Sequence, residues 1–209
     1  DKVSHVMFGG LTHQPAIDLC KKLISLTPKG LDKVFFADSG SVSVEVSLKM
    51  ALQYWQNKGY REKSKFITPR GGYHGDTFGA MSVGFSSGFY EPYEDFLMKS
   101  INIPYPDYWE GKNDIEKEEL ISLEKADEVL STNKDDIVAV IIEPLIQGAG
   151  GMRVCREEFL DKLLKKFREA GVLIIFDEVM TGFGRTGKMF AADYLKTKPD
   201  IICLAKSLT

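Results

Sequence analysis

Short runs of consecutive apolar residues alternate along the chain with stretches in which apolar residues recur every three or four positions. Val34-Phe35-Phe36-Ala37 predicts a strand. A helix is expected over about 41–57, with Val44, Leu48, Ala51, Leu52 and Trp55 on one face and Gly59 placed to end it. Further strands are predicted at 65–68, 101–103, 137–142, 172–176 and 201–204. Helices are expected over about 114–131 and 157–170, the second closed by Gly171. The runs at 137–142 and 172–176 are continuously apolar, so both faces of those strands are buried. That pattern belongs to an α/β fold, a mostly parallel sheet covered by helices. The segment 86–112, rich in Gly, Pro, Tyr and charge, is expected to be an excursion over the active-site side.

Composition narrows the class without naming a chemistry. With 44% hydrophobic and 27% charged residues, the chain reads as an ordinary soluble globular protein. Its 27 basic and 30 acidic residues give a net charge of −3, which offers no electrostatic footprint for nucleic acid. Cys20, Cys155 and Cys203 are odd in number and far apart, which argues against a disulfide framework and for the reducing cytoplasm. The scattered His5, His13 and His74 point away from a metal site. No apolar run is long enough to span a bilayer as a helix, and no targeting segment is recognisable. The chain opens on Asp1 and stops at Thr209, just after a predicted strand, so a piece of a longer protein is expected.

In open α/β sheets, ligands bind beyond the carboxyl ends of the strands, and four predicted strands carry polar groups there. Asp38-Ser39-Gly40-Ser41 opens a helix, where free backbone N–H groups suit a phosphate; the plain alternative is an ordinary N-cap. Gly71-Gly72-Tyr73-His74-Gly75-Asp76-Thr77 would let backbone pass close to a flat ligand on which Tyr73 stacks, or is a tight turn with a half-buried tyrosine. Glu143 ends a buried strand before the glycine-rich Gly148–Gly151 loop, for a task or for a structural ion pair. Asp177-Glu178 and Lys206 end neighbouring strands; a buried lysine beside a carboxylate can form Schiff bases, or the two are a salt bridge.

The run Gly182-Phe183-Gly184-Arg185-Thr186-Gly187 matches the dinucleotide fingerprint G-x-G-x-x-G. Five residues separate it from the preceding strand, and no ribose-binding acid follows at the right distance, so the match reads as accidental. Arg185 is better read as an exposed guanidinium for a substrate carboxylate, or as half of a loop salt bridge.

Together, Ser39-Gly40-Ser41, Tyr73-His74-Gly75, Phe176-Asp177-Glu178-Val179, Thr181–Gly187 and Lys206 resemble the class III aminotransferases of the pyridoxal 5'-phosphate (PLP) dependent transferase fold type I, in order and spacing throughout. The resemblance implies the large domain of that fold. It implies that Gly40 and Ser41 hold the cofactor phosphate, that Tyr73 stacks on the ring, and that Val179 packs the opposite ring face. Asp177 would pair with the ring nitrogen, and Lys206 would be the Schiff-base lysine and proton shuttle. Glu143, His74 and Gly75 would lie near the site, and Arg185 would bind the carboxylate of the keto-acid substrate.

Within the family, His5–Gly10, Ala37–Val46 and Ile142–Met152 resemble the members of biotin biosynthesis that aminate 8-amino-7-oxononanoate, most of them with S-adenosylmethionine as donor. Such enzymes run to about twice this length. An N-terminal segment, a C-terminal small domain and a homodimer that shares its active site are therefore expected beyond residues 1–209. This stretch alone is not expected to turn over. The other readings are a class III aminotransferase for ornithine, acetylornithine or another ω-amine, and a non-catalytic scaffold of the same fold.

Overall fold

The computed structural model describes residues 7–84, 90–108 and 114–208. His5, Val6 and parts of the 86–112 stretch thus lie outside the described residues. The chain forms two compact units, Asp1–Phe36 and Ala37–Thr209.

In the first unit, α1 (Gln14–Leu26) starts where Pro15 presets the first turn and the His13 side chain accepts the Ala16 amide at 3.3 Å. The strand expected at 34–37 does not form. Among the described residues, the backbone of 32–38 makes no hydrogen bond to other backbone. Val34, Phe35 and Phe36 instead face Ala16, Cys20 and Ile24 of α1 across a shared apolar cavity, and Phe36 stacks on Phe8 at 5.5 Å. An apolar run needs a ladder partner to be a strand, and here it has none: Val34 and Phe36 are only partly covered, and Phe35 is exposed. α1 itself escaped the sequence reading, although Ala16, Cys20, Leu23 and Ile24 share one face; its cap is a histidine, a weak start signal.

The second unit contains α2 (Gly40–Asn57), β1 (Lys65–Pro69), α3 (Phe78–Val83), β2 (Ile101–Ile103), α4 (Ile115–Asn133) and β3 (Ile137–Ile142). It continues with a short hairpin, β4 (Ile146–Gln147) and β5 (Arg153–Val154), then α5 (Glu157–Glu169), β6 (Leu173–Asp177) and β7 (Ile201–Cys203). The five main strands run in the order β2-β1-β3-β6-β7, every pair parallel. All six residues of β3 are buried, as its continuous apolar run requires. Val44, Leu48 and Ala51 of α2 pack on Phe66, Ala139, Ile141, Ile175 and Cys203. Burial of each Val, Leu, Ile or Phe among these contributes about 1.5–3 kcal/mol. The Trp55 indole N–H pins α2 to the Val138 carbonyl at 2.8 Å. The alternate strand positions Val140, Ile174 and Phe176 are equally buried, and α5 supplies Phe159, Leu160, Leu163, Leu164 and Phe167. Arg156, the N-cap of α5, holds Glu119 of α4 through two bonds of 2.7 and 2.6 Å.

The three cysteines are free. Among the described residues, no helix is long and apolar enough to cross a membrane, and no acidic, histidine or cysteine cluster could hold a metal.

Candidate active site

Because the sheet is parallel, the carboxyl ends of β1, β3, β6 and β7 share one edge. Asp177, the buried last residue of β6, accepts the Val179 amide on Oδ1 at 3.0 Å and meets His74 Nδ1 with Oδ2 at 2.7 Å. An ionised carboxylate can only accept, so His74 Nδ1 carries the proton. Burial opposes a charged imidazole, but the hydrogen bond and charge of Asp177, with Glu143 adding, outweigh it and raise the His74 pKa above its ordinary value. Glu143 follows β3 and bridges two backbone amides, Tyr73 N–H and Gly148 N–H, each at 3.0 Å. Burial raises its pKa, against the pull of His74 and the two amides. The task of Glu143 in the fold is thus to tie the β1 loop to the glycine-rich loop.

Ser39 is the plain N-cap of α2, accepting the Val42 amide at 3.2 Å. Gly40 and Ser41 differ, since no acceptor meets their amides among the described residues. A Cβ on Gly40 would stand 3.0 Å from Val179 Cγ1 and 3.4 Å from Ala205 Cβ. The first turn of α2 therefore lies directly against the residues that follow Asp177 and precede Lys206. Gly75 has φ +119° and faces Ser41 so closely that any side chain there would collide. Ser41 Oγ in turn accepts the Asp76 amide at 3.3 Å. Glu45, one turn further along α2, accepts Thr77 Oγ1 and the amides of Gly79 and Ala80, fixing α3 beside the site. Tyr90, from the stretch expected to pass over this side, donates to the Gly75 carbonyl at 3.3 Å.

Of the predicted residues, Lys206 departs from expectation, while Tyr73 and Arg185 find hydrogen-bond partners that the sequence did not name. Lys206 is exposed, has a left-handed backbone (φ 48°) in a one-turn 3-10 helix, and is not the buried partner of a carboxylate. Tyr73 turns its hydroxyl to Asp76 Oδ2 at 2.8 Å, and burial, then that carboxylate, push its pKa to about 12. Arg185 is exposed and donates to Ser207 Oγ at 3.0 Å, next to Lys206, with no carboxylate partner among the described residues. The Gly182–Gly187 run forms turns, and no α-helix opens on it as a dinucleotide site requires.

Glu178, paired with Asp177 in the sequence reading, proves to be an anchor. It is fully buried and accepts the amides of Ala191 and Ala192 at 2.7 and 2.8 Å and Thr181 Oγ1 at 3.0 Å. Burial, outweighing those donors, raises its pKa. Neither this task nor that of Glu45 has a sequence signal, since each acid serves amides that only the fold brings near.

The donor set suits PLP. Amides and a hydroxyl at a helix start fit its phosphate, and a buried carboxylate fits its protonated ring nitrogen. The Val179 side chain against Gly40 offers a wall for the ring.

The class-III aminotransferase family model matches residues 1–209. The chain is 48% identical to the adenosylmethionine-8-amino-7-oxononanoate aminotransferase of Synechococcus elongatus, over 99% of this chain and 48% of that protein. The crystal structure of the same-named enzyme from Methanocaldococcus jannaschii superposes with a TM-score of 0.86 at 39% identity, covering 97% of this chain and 45% of that one. A PLP-bound amine transaminase from an uncultivated Pseudomonas species gives a TM-score of 0.84 at 32% identity, over 96% and 46% of the two chains. The chain spans about half the length of the curated relatives it matches. The fold is that of the PLP-dependent transferases, fold type I. With the family pattern running over every residue and relatives this similar along its whole length, the chain belongs to the class-III aminotransferases.

Proposed function

We propose that residues 1–209 are the partial large domain of a PLP-dependent enzyme that transfers an amino group to 8-amino-7-oxononanoate, giving 7,8-diaminononanoate for biotin biosynthesis. S-adenosylmethionine is the donor in this reading, as the relatives' names suggest. The enzyme works in the cytoplasm as a homodimer whose partner helps to complete the site. The observation that carries the proposal is the meeting of Gly40, Val179 and Ala205 beside the Asp177–His74 pair. It gathers the chemistry of three strand ends around the start of one helix.

When bound, the cofactor supplies an electron sink for the bond-breaking at the amino-bearing carbon. The chain's residues do the rest. The amides of Gly40 and Ser41 and the Ser41 hydroxyl hold the phosphate. Asp177, backed by His74, keeps the ring nitrogen protonated, and Val179 and Tyr73 confine the ring. Lys206 would tether the cofactor; once released, its Nζ would move the proton from the amino-bearing carbon of the donor to the cofactor carbon, and in the second half-reaction from the cofactor carbon to the acceptor carbon. Arg185 receives the substrate carboxylate.

The test uses the full-length protein with PLP, followed by its visible absorbance as S-adenosylmethionine and then 7,8-diaminononanoate are added. Loss of the cofactor band with both amines, abolished by Lys206→Ala, is the expected result. Loss with the diamine alone moves the donor to lysine or another amine. Loss only with ornithine, acetylornithine or another ω-amine replaces the substrate. Absence of any cofactor band leaves the scaffold reading in its place.

A further inference from the structure

At the inner wall of the site, hydrogen bonding does not close. Four buried side-chain atoms among the described residues lack a partner, namely Thr68 Oγ1, His74 Nε2, Asn102 Oδ1 and Thr186 Oγ1. The first three lie along one row. Asn102 of β2 is the register partner of Thr68 of β1, so the two side chains leave the same face of the sheet. Thr68 also shares its face with Phe66, which packs with Ile175, and Ile175 shares its face with Asp177. A Cβ placed on the buried Gly72 would lie 3.2 Å from His74 Nε2, 3.4 Å from the Pro69 carbonyl oxygen and 3.7 Å from Thr68 Oγ1. A nitrogen and two oxygens thus converge beside the Gly72 Cα, where a side chain would crowd them. Buried polar atoms in native proteins nearly always have partners. A pocket with two to four polar neighbours is where a fixed water sits.

We propose that a fixed water here joins His74 Nε2 to Thr68 Oγ1 and the Pro69 carbonyl, with Asn102 closing the row, and that Thr68 is thereby a positioning residue for Asp177. Asp177 takes the Nδ1 proton of His74, which leaves Nε2 in need of a second partner. Water can donate to that nitrogen or accept from it, so it serves either protonation state of the ring. Held at both nitrogens, the imidazole cannot turn, and the Asp177 carboxylate keeps its aim. The positioning role rests on the proposed cofactor contact of Asp177; the water does not.

Crystals of the full-length protein, grown without PLP, test the water. It is expected within hydrogen-bonding distance of His74 Nε2 and Thr68 Oγ1, and displaced in Gly72→Ala, whose methyl crowds those same atoms at an ordinary φ. A dry wall in the wild-type protein overturns the proposal. PLP affinity tests the positioning role. Thr68→Val, which keeps the shape and loses the hydroxyl, is expected to weaken binding roughly tenfold, the scale of one lost hydrogen bond. Thr68→Ser restores it, and the unfolding midpoint of Thr68→Val stays where it was. Unchanged PLP affinity in Thr68→Val overturns the positioning role even if the water is present. A wild-type protein that binds no PLP removes the cofactor reading and the positioning role together, while the crystals still decide the water.

Discussion

At the amino edge of the parallel sheet, Lys63 Nζ donates to the carbonyls of Lys134 and Ile137 at 3.1 and 3.0 Å and sits 4.5 Å from the Trp55 ring centroid. Nearby, Lys65 pairs with Asp136 at 2.8 Å, and Asp200 accepts both Arg168 and the Ile174 amide. At the carboxyl edge, Asp177 is as well supplied as any of these, yet the histidine behind it has an unmet nitrogen, and Lys206 makes no hydrogen bond among the described residues. Burial and charge are common to both edges. What separates them is whether the polar valences are all used inside the fold. Where they are, the residues hold the structure; where they are not, something else is meant to meet them.

Four variants of the full-length protein test that division. Lys206→Ala comes first: turnover falls roughly a thousandfold or more, the scale of a lost acid–base group, while the unfolding midpoint stays put because the side chain is exposed. Glu178→Ala does the reverse, although it neighbours Asp177. It orphans two buried amides and a hydroxyl, so denaturant unfolding shows a loss of about 3 kcal/mol or more. Lys63→Met, at the amino edge, leaves two carbonyls unmet and costs about 2–3 kcal/mol in the same assay, with PLP affinity unchanged. The smallest effect is a pH slope. His74 has a raised pKa in the fold, so the stability of its pair is complete below the unfolded value of about 6.5 and fades as pH rises through the folded value. The stability difference between wild type and His74→Gln therefore shrinks above pH 6.5, by at most about 1.4 kcal/mol per pH unit. A flat difference shows that the ring is neutral and that Asp177 is held by a hydrogen bond alone.

The buried strands β3 and β6 and the amphipathic α2 and α5 were legible in sequence, because continuous apolar runs and a 3.6-residue period leave few alternatives. Helix α4 was found within two residues at its end. The run at 34–37 misled, since its composition is that of a strand and only the missing ladder shows otherwise. The six-residue α3 and the two-residue strands β4 and β5 are too short to carry a period; they exist because Glu45 caps the one and the Arg153 and Gln147 contacts to Arg70 hold the others. Within the site, residue types at strand ends pointed to Asp177, Lys206 and Gly40. Their partners stayed hidden, because the His74–Asp177 bond joins residues more than a hundred positions apart.

That distance along the chain has a consequence during synthesis. Gly40 packs against Val179 and Ala205, and a ribosome adding about 5–20 residues per second makes them roughly 7 to 33 seconds after Gly40. Through that interval the first turn of α2 waits in the nascent chain without the neighbours that define it. Once β6 has joined β3, its other side is an open apolar edge of the kind that pairs with the wrong strand. Laying down β7 covers that edge of β6 and brings Ala205 to Gly40 in the same movement, so the sheet and the first turn of α2 reach their final neighbours together.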